Sequence, residues 1–147
     1  LNEIIVSYEE ISNKQFILDT KNYKNHLKIN KSTEIIYGLR NFIGNANKYS
    51  KNKVEVFLIS NNKDTEIIIR DDGSGFPKDL IEKDKLGEPY IRTANPTHIS
   101  KYGLGLGTFI GKTLLEKNYA NIFFKNSNKT GGAEVIIKWK NKDLTQV

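Results

Sequence analysis

Three short groups of residues, in a fixed order along the chain, have types and spacings suited to holding an anionic ligand. Gly103, Gly105 and Gly107 alternate with Leu104 and Leu106 and run into the apolar segment Thr108–Leu115. Alternate glycines strip side chains from a loop, so its N–H groups can surround an anion, and the following helix adds the positive end of its dipole. Upstream lies Asn41-x-x-x-Asn45-Ala46-x-Lys48-Tyr49. On a helix turning about 100° per residue, Asn45 and Lys48 fall within about 40° of Asn41, and Tyr49 sits at the margin of that stripe. Any amphipathic helix has a polar face, but asparagine is a poor helix-interior residue, and here two amides stand one turn apart. An amide oxygen is a hard, neutral donor suited to Mg²⁺. Lys48 could meet a phosphate as a point charge, and the Tyr49 ring could pack on a base.

The third group is Asp71-x-Gly73-x-Gly75, at the end of the apolar run Ile67–Ile69. Asp71 shares a strand face with Ile67 and Ile69, where a carboxylate is costly unless it is hydrogen-bonded. The exocyclic amino group of adenine would satisfy it and would distinguish adenine from guanine. An ordinary Asp-Gly turn is the competing reading, and Asp72 fits that role better than Asp71 does. Together the three groups read as one nucleotide site, with Thr108 adding a hydroxyl near the phosphates. Two other nucleotide motifs fail. A dinucleotide fingerprint would need glycine where Thr108 stands, and Gly111-Lys112-Thr113 lacks the earlier glycine of a phosphate-binding loop, whose place is held by Leu106.

The elements that must position these residues follow from periodicity. Leu1–Glu10 has helical spacing; Gln15–Asp19 and Leu27–Ile29 read as short strands. Ser32 or Thr33 can cap a helix through about Tyr49, whose Ile35, Leu39, Phe42, Ile43 and Ala46 face the core. Lys53–Ile59 and Thr65–Arg70 read as a hairpin, and Pro77 starts a short helical turn. Leu86–Tyr102, with Gly87, Pro89 and Pro96, reads as a mobile loop. A helix over Thr108–Asn118 and strands at Ala120–Lys125 and Ala133–Lys140 complete an α/β sandwich, a sheet covered by three helices.

Composition limits the alternatives. At 147 residues the chain is long enough for one domain with its own core, and 37% hydrophobic with 27% charged residues suits a globular protein. It has no cysteine, which removes disulfides, thiolate metal sites and cysteine catalysis. No apolar run reaches membrane-spanning length. The net charge is +6, but of 23 basic residues only Arg40, Arg70 and Arg92 are arginine. The lysines are scattered among asparagine and isoleucine rather than gathered in a stripe, so a solvated surface is expected and a nucleic-acid partner is not.

The three groups resemble the N, G1 and G2 boxes of the GHKL family shared by DNA gyrase, Hsp90, sensor histidine kinases and MutL. Asn126–Ala133, with Gly131-Gly132, is similar to that family's terminal glycine turn. The resemblance covers nearly the whole chain, residues 1–147 as a single domain. It implies the Bergerat fold, an α+β sandwich whose mixed, mostly antiparallel sheet is covered on one face by about three helices, with ATP under a flexible lid. Within the family, ATPase branches carry Glu one turn before the Mg²⁺-binding Asn. Here that place is Asn41, and a neutral amide cannot serve as general base. This points to the histidine-kinase branch, and Gly87-Glu88-Pro89-Tyr90 with Gly103–Glu116 is similar to the redox-responsive RegB/PrrB type. Pro89, Tyr90 and Arg92 match the F box, whose first Phe is replaced by Gly87.

The resemblance thus implies Mg²⁺ on Asn45 with Asn41 assisting, and adenine on Asp71 beside Tyr49, Gly73 and Gly75. Phosphates would meet Lys48, Thr108 and the backbone of Gly103, Leu104, Gly105, Leu106 and Gly107, with Arg92 a candidate γ-phosphate contact. Neither His26 nor His98 sits in a phosphoacceptor setting. The acceptor is therefore expected on a separate dimerisation hairpin of a homodimeric parent kinase that passes phosphate to a response regulator. A cytoplasmic location follows, without membrane contact by these residues, and an inner-membrane anchor elsewhere in the parent stays open. A GHKL ATPase and a degenerate nucleotide-binding scaffold are the alternatives.

Overall fold

The computed structural model describes residues 1–88 and 106–147. Helix α1 (Asn2–Glu9) leads to strand β1 (Gln15–Asp19), followed by the long helix α2 (Thr33–Tyr49). Strands β2 (Lys53–Ser60) and β3 (Asp64–Asp71) come next, then helix α3 (Lys78–Glu82) and helix α4 (Leu106–Lys117). Strands β4 (Asn121–Asn126) and β5 (Ala133–Lys140) and a short helix α5 (Asn141–Leu144) complete the order.

The five strands form one sheet in the order β1-β2-β3-β5-β4. Only β1 and β2 run parallel; the other pairs are antiparallel. This is the mixed sheet expected. Alternation along each strand sends Val54 and Val56, Ile67 and Ile69, and Val135, Ile137 and Trp139 to one face, where they meet Ile35, Leu39, Phe42, Ile43 and Ala46 of α2. Ile4 and Ile5 of α1 and Leu115 of α4 close the same core, so three helices cover one side. The i, i+4, i+7, i+8, i+11 spacing of the α2 residues gives one apolar stripe, which leaves Asn41, Asn45 and Lys48 off the core.

Local chemistry explains the boundaries. Ser32 caps α2, its Oγ accepting the N–H of Ile35 at 3.2 Å. Asn61 turns the β2–β3 hairpin, its Oδ1 accepting from both Lys63 and Asp64 at 2.8 Å. Leu27–Ile29 corrects the sequence reading, for it is not a strand. Tyr23 makes a lone bridge to Ser60, and Asn25 bonds the Ser60 hydroxyl, which leaves Leu27 packed on the core without a ladder. Helix α5 has no counterpart in the periodicity of the sequence. It is seated by Asn141, whose Oδ1 accepts from Thr65 at 2.7 Å and whose Nδ2 donates to the Asn61 carbonyl at 2.9 Å.

Candidate functional site

Strand β3 delivers Asp71 to the helix-covered face, where it is only 5% exposed. Its Oδ1 accepts the N–H of Gly73 at 2.8 Å and that of Ala133, the first residue of β5, at 3.1 Å. Its carbonyl accepts the Thr130 hydroxyl at 2.7 Å. Burial pushes the Asp71 pKa above the ordinary aspartate value. The two amides and Lys14 pull against that rise, and Asp72 adds to it.

The turn around Asp71 is built by close approach. A Cβ at Gly73 would strike the Tyr49 carbonyl, and one at Gly132 would strike the Asp71 carbonyl. Gly75 has φ +81°, and its Cα faces Asn126. Asn126 clamps the next residue from both sides, Oδ1 accepting from Phe76 N at 2.7 Å and Nδ2 donating to Phe76 O at 3.0 Å. Asp72 points the other way. Its carboxylate accepts the N–H groups of Lys51, Asn52 and Lys53. Burial tends to raise its pKa, yet those donors outweigh it and hold the group below the ordinary value. Asp72 is thus a structural anchor for the α2–β2 junction.

Helix α2 forms the other wall. Asn45 Nδ2 donates to Thr108 Oγ1 of α4 at 3.3 Å, and Thr108 is buried. Asn41 donates to the Tyr37 carbonyl at 2.9 Å, and its Oδ1 faces Gly107. The first turn of α4 therefore lies along the asparagine stripe. Lys48 is exposed, with Nζ 5.3 Å from the centre of the Tyr49 ring. Asn45, Tyr49, Asp71, Gly75 and Thr108 line one crevice, floored by Phe42, Ile69, Phe124 and Val135. A largely apolar crevice with one buried carboxylate in its lining suits an apolar group that carries a hydrogen-bond donor.

Residues 30–143 match the family model described as histidine kinase-, DNA gyrase B- and HSP90-like ATPase. The chain belongs to this family. Over 99 residues it is 35% identical to the sensor histidine kinase RegB of Cereibacter sphaeroides, and 34% identical to a second RegB sequence of that species. Each alignment covers 64% of this chain but 21% of RegB, so the match spans about a fifth of those relatives. Among solved structures, the catalytic domain of histidine kinase ThkA superposes with a TM-score of 0.74 at 22% identity, covering 95% of this chain and 90% of that one. The mycobacterial sensor histidine kinase MprB gives 0.71 at 20% identity, covering 95% and 93%. The fold is that of histidine-kinase catalytic domains.

Of the residues expected from the sequence, Asn45, Tyr49, Asp71, Gly75 and Thr108 line the crevice. Gly73 bonds Asp71, Asn41 faces Gly107, and Lys48 and Leu106 are exposed, while Arg92, Gly103, Leu104 and Gly105 lie outside the described residues. So does most of the loop expected over Leu86–Tyr102. The sequence marks Asn126–Ala133 as a glycine turn but assigns no role at Asp71 to the Ala133 N–H or the Thr130 hydroxyl, the two groups from that segment that bond it. The signal available was the Gly131-Gly132 pair, which marks a backbone that must pass something closely. Among the described residues, no three His, Cys, Asp or Glu cluster so as to hold a metal ion. No helix among them is long and apolar enough to cross a membrane.

Proposed function

We propose that the chain is the ATP-binding catalytic domain of a two-component sensor histidine kinase, residues 1–147 forming one such domain. The observation that carries this reading is the joint crevice, lined together by Asp71 of β3, Asn45 of α2 and Thr108 of α4, with Asn45 bonded to Thr108. Asp71 reads the adenine amino group, with Tyr49 along one wall and the Gly73–Gly75 turn beside the base. Asn45, with Asn41 assisting, would hold Mg²⁺. The neutral amide oxygens fit a hard cation whose charge is balanced by phosphates rather than by a carboxylate cluster. Bound there, the ion would neutralise charge on the phosphate oxygens. Lys48, the backbone of residues 103–107, Thr108 and Arg92 complete the phosphate end.

The reaction is transfer of the γ-phosphoryl group to a histidine on the dimerisation hairpin of the parent homodimer. An imidazole nitrogen forms the new P–N bond, the bond from the γ-phosphorus to its bridging oxygen breaks, and ADP departs with that electron pair. The imidazole proton passes to solvent or to a base on the hairpin. A response regulator then takes the phosphoryl group. These residues contribute positioning and charge neutralisation. Hydrolysis is disfavoured because Asn41, one turn before Asn45, is neutral and its amide is engaged with Tyr37. The domain works in the cytoplasm. Mixing the chain with a separately supplied histidine hairpin and γ-labelled ATP tests this. Label should enter the hairpin, with negligible phosphate release by the chain alone. An unlabelled hairpin would point to a scaffold, and steady phosphate release to an ATPase.

A further inference from the structure

Ser12, Asn13 and Lys14 belong to the connector from α1 to β1, and two of them reach the last turn of α2. Lys14 Nζ donates to the Asn47 carbonyl at 3.0 Å, the Ser50 carbonyl at 2.6 Å and Ser50 Oγ at 3.2 Å. These three bonds use every proton of the ammonium. Ser12 Oγ donates to Asn47 Oδ1 at 2.6 Å and accepts the N–H of Lys14 at 3.0 Å. The final carbonyls of a helix lack intrahelical partners and carry the negative end of its dipole, so a cation there is well placed. On the other side, Asp72 gathers the amides of residues 51–53, and Gly73 lies against the Tyr49 carbonyl. The last turn of α2 is therefore held between the connector's cation and the turn that carries Asp71. Lys14 is also near enough to Asp71 to oppose its burial-driven rise in pKa.

We propose that Lys14 is a positioning residue for the crevice. By closing the last turn of α2 it fixes Tyr49, and through the Tyr49 carbonyl it fixes the Asp71–Gly75 turn, so the α1–β1 connector sets affinity at the base end. This rests on reading the crevice as a nucleotide site.

The test compares wild type, Lys14→Met, Lys14→Arg and Ser12→Ala. Each is titrated calorimetrically with Mg·ATP, and the amide signals of Gly73 and Ala133 are followed by NMR without nucleotide. Lys14→Met should weaken Mg·ATP about tenfold or more and displace both signals, the scale of a lost charged hydrogen bond. Lys14→Arg should recover affinity to within about threefold of wild type, because it keeps a donor cation at the helix end. Wild-type affinity and unmoved signals in Lys14→Met would overturn the proposal, as would an Arg variant no better than Met. Should Lys14→Met fail to fold, Ser12→Ala decides. It keeps the ammonium and loses the Asn47 anchor, so about threefold weaker binding with a displaced Gly73 signal supports the proposal, and no change in either refutes it. If wild type itself binds no Mg·ATP, the nucleotide reading fails, and the two amide signals still report whether Lys14 positions the turn.

Discussion

The carboxylate of Asp71 accepts the amide proton of Ala133 at 3.1 Å, across 62 positions of sequence. This bond ties the end of β3 to the start of β5 and holds one buried acid in the lining of the crevice. Oδ1 is engaged by Gly73 and Ala133, and on the proposed reading the second oxygen takes the adenine amino group.

Asp71→Asn tests that division. The asparagine oxygen can still accept from Gly73 and Ala133, but the other position becomes an NH₂ that meets the adenine amino group donor to donor. ATP affinity should fall about tenfold to a hundredfold, the scale of a lost charged hydrogen bond, with the melting temperature nearly unchanged. Calorimetry and a thermal melt on the same samples check both halves.

Acid should affect the two neighbouring aspartates in opposite senses. The Asp71 pKa is raised, so on acidification the carboxylate is lost while the pH is still above 3.8, and nucleotide binding should weaken there before the fold does. The Asp72 pKa is lowered, so its stabilisation is present above 3.8 and is lost as pH falls through its lower folded value. Asp72→Asn should therefore cost about 1–2 kcal/mol near neutrality, with the gap to wild type closing below pH 3.8. Urea denaturation across a pH series measures it.

On the sheet face away from the helices, Glu134 is buried between Arg70, at 2.7 Å, and Lys125, at 3.1 Å. Burial alone would raise its pKa, but those two cations hold it below the ordinary value. Glu134→Ala leaves Arg70 facing an empty partner site beside β5. A loss of about 3 kcal/mol is expected, typical of breaking a buried pair by removing one member. Denaturant midpoints should show it, whereas Lys125→Ala, at the exposed end of the trio, should cost under about 1 kcal/mol.

Asn45→Ala should separate metal from nucleotide. Removing the amide frees Thr108 Oγ1 and deletes the expected Mg²⁺ donor, so the Mg²⁺ dependence of ATP affinity should shrink about tenfold while ADP binding without metal stays close to wild type. Titrations with and without Mg²⁺ give the comparison directly.

Most of the architecture was legible because α2 and the strands carry clean periods. The spacing of Ile35, Leu39, Phe42, Ile43 and Ala46 names both the core face and, by exclusion, the asparagine face. Asp71 stood out as a charge in phase with Ile67 and Ile69. What could not be read locally was the set of groups that hold Asp71. Ala133 and Thr130 act through a backbone amide and a loop hydroxyl brought in by β5, and neither residue type marks such a role. Leu27–Ile29 misled for the reverse reason: a short apolar run has the composition of a strand, but Tyr23 and Asn25 spend the Ser60 pairing first. Asn141 bonds Thr65 and Asn61 of the distant β2–β3 hairpin, so α5 leaves no periodic trace in sequence. Lys14 looked like one more surface lysine among many.

The central claim is that Asp71 and Asn45 serve the two ends of one adenine nucleotide. Calorimetric titration of the chain and of Asp71→Asn with Mg·ATP and Mg·GTP tests it most directly. The account predicts saturable Mg·ATP binding, GTP weaker by about tenfold or more, and loss of that preference in the variant. Equal affinity for the two nucleotides, unchanged by Asp71→Asn, would contradict it.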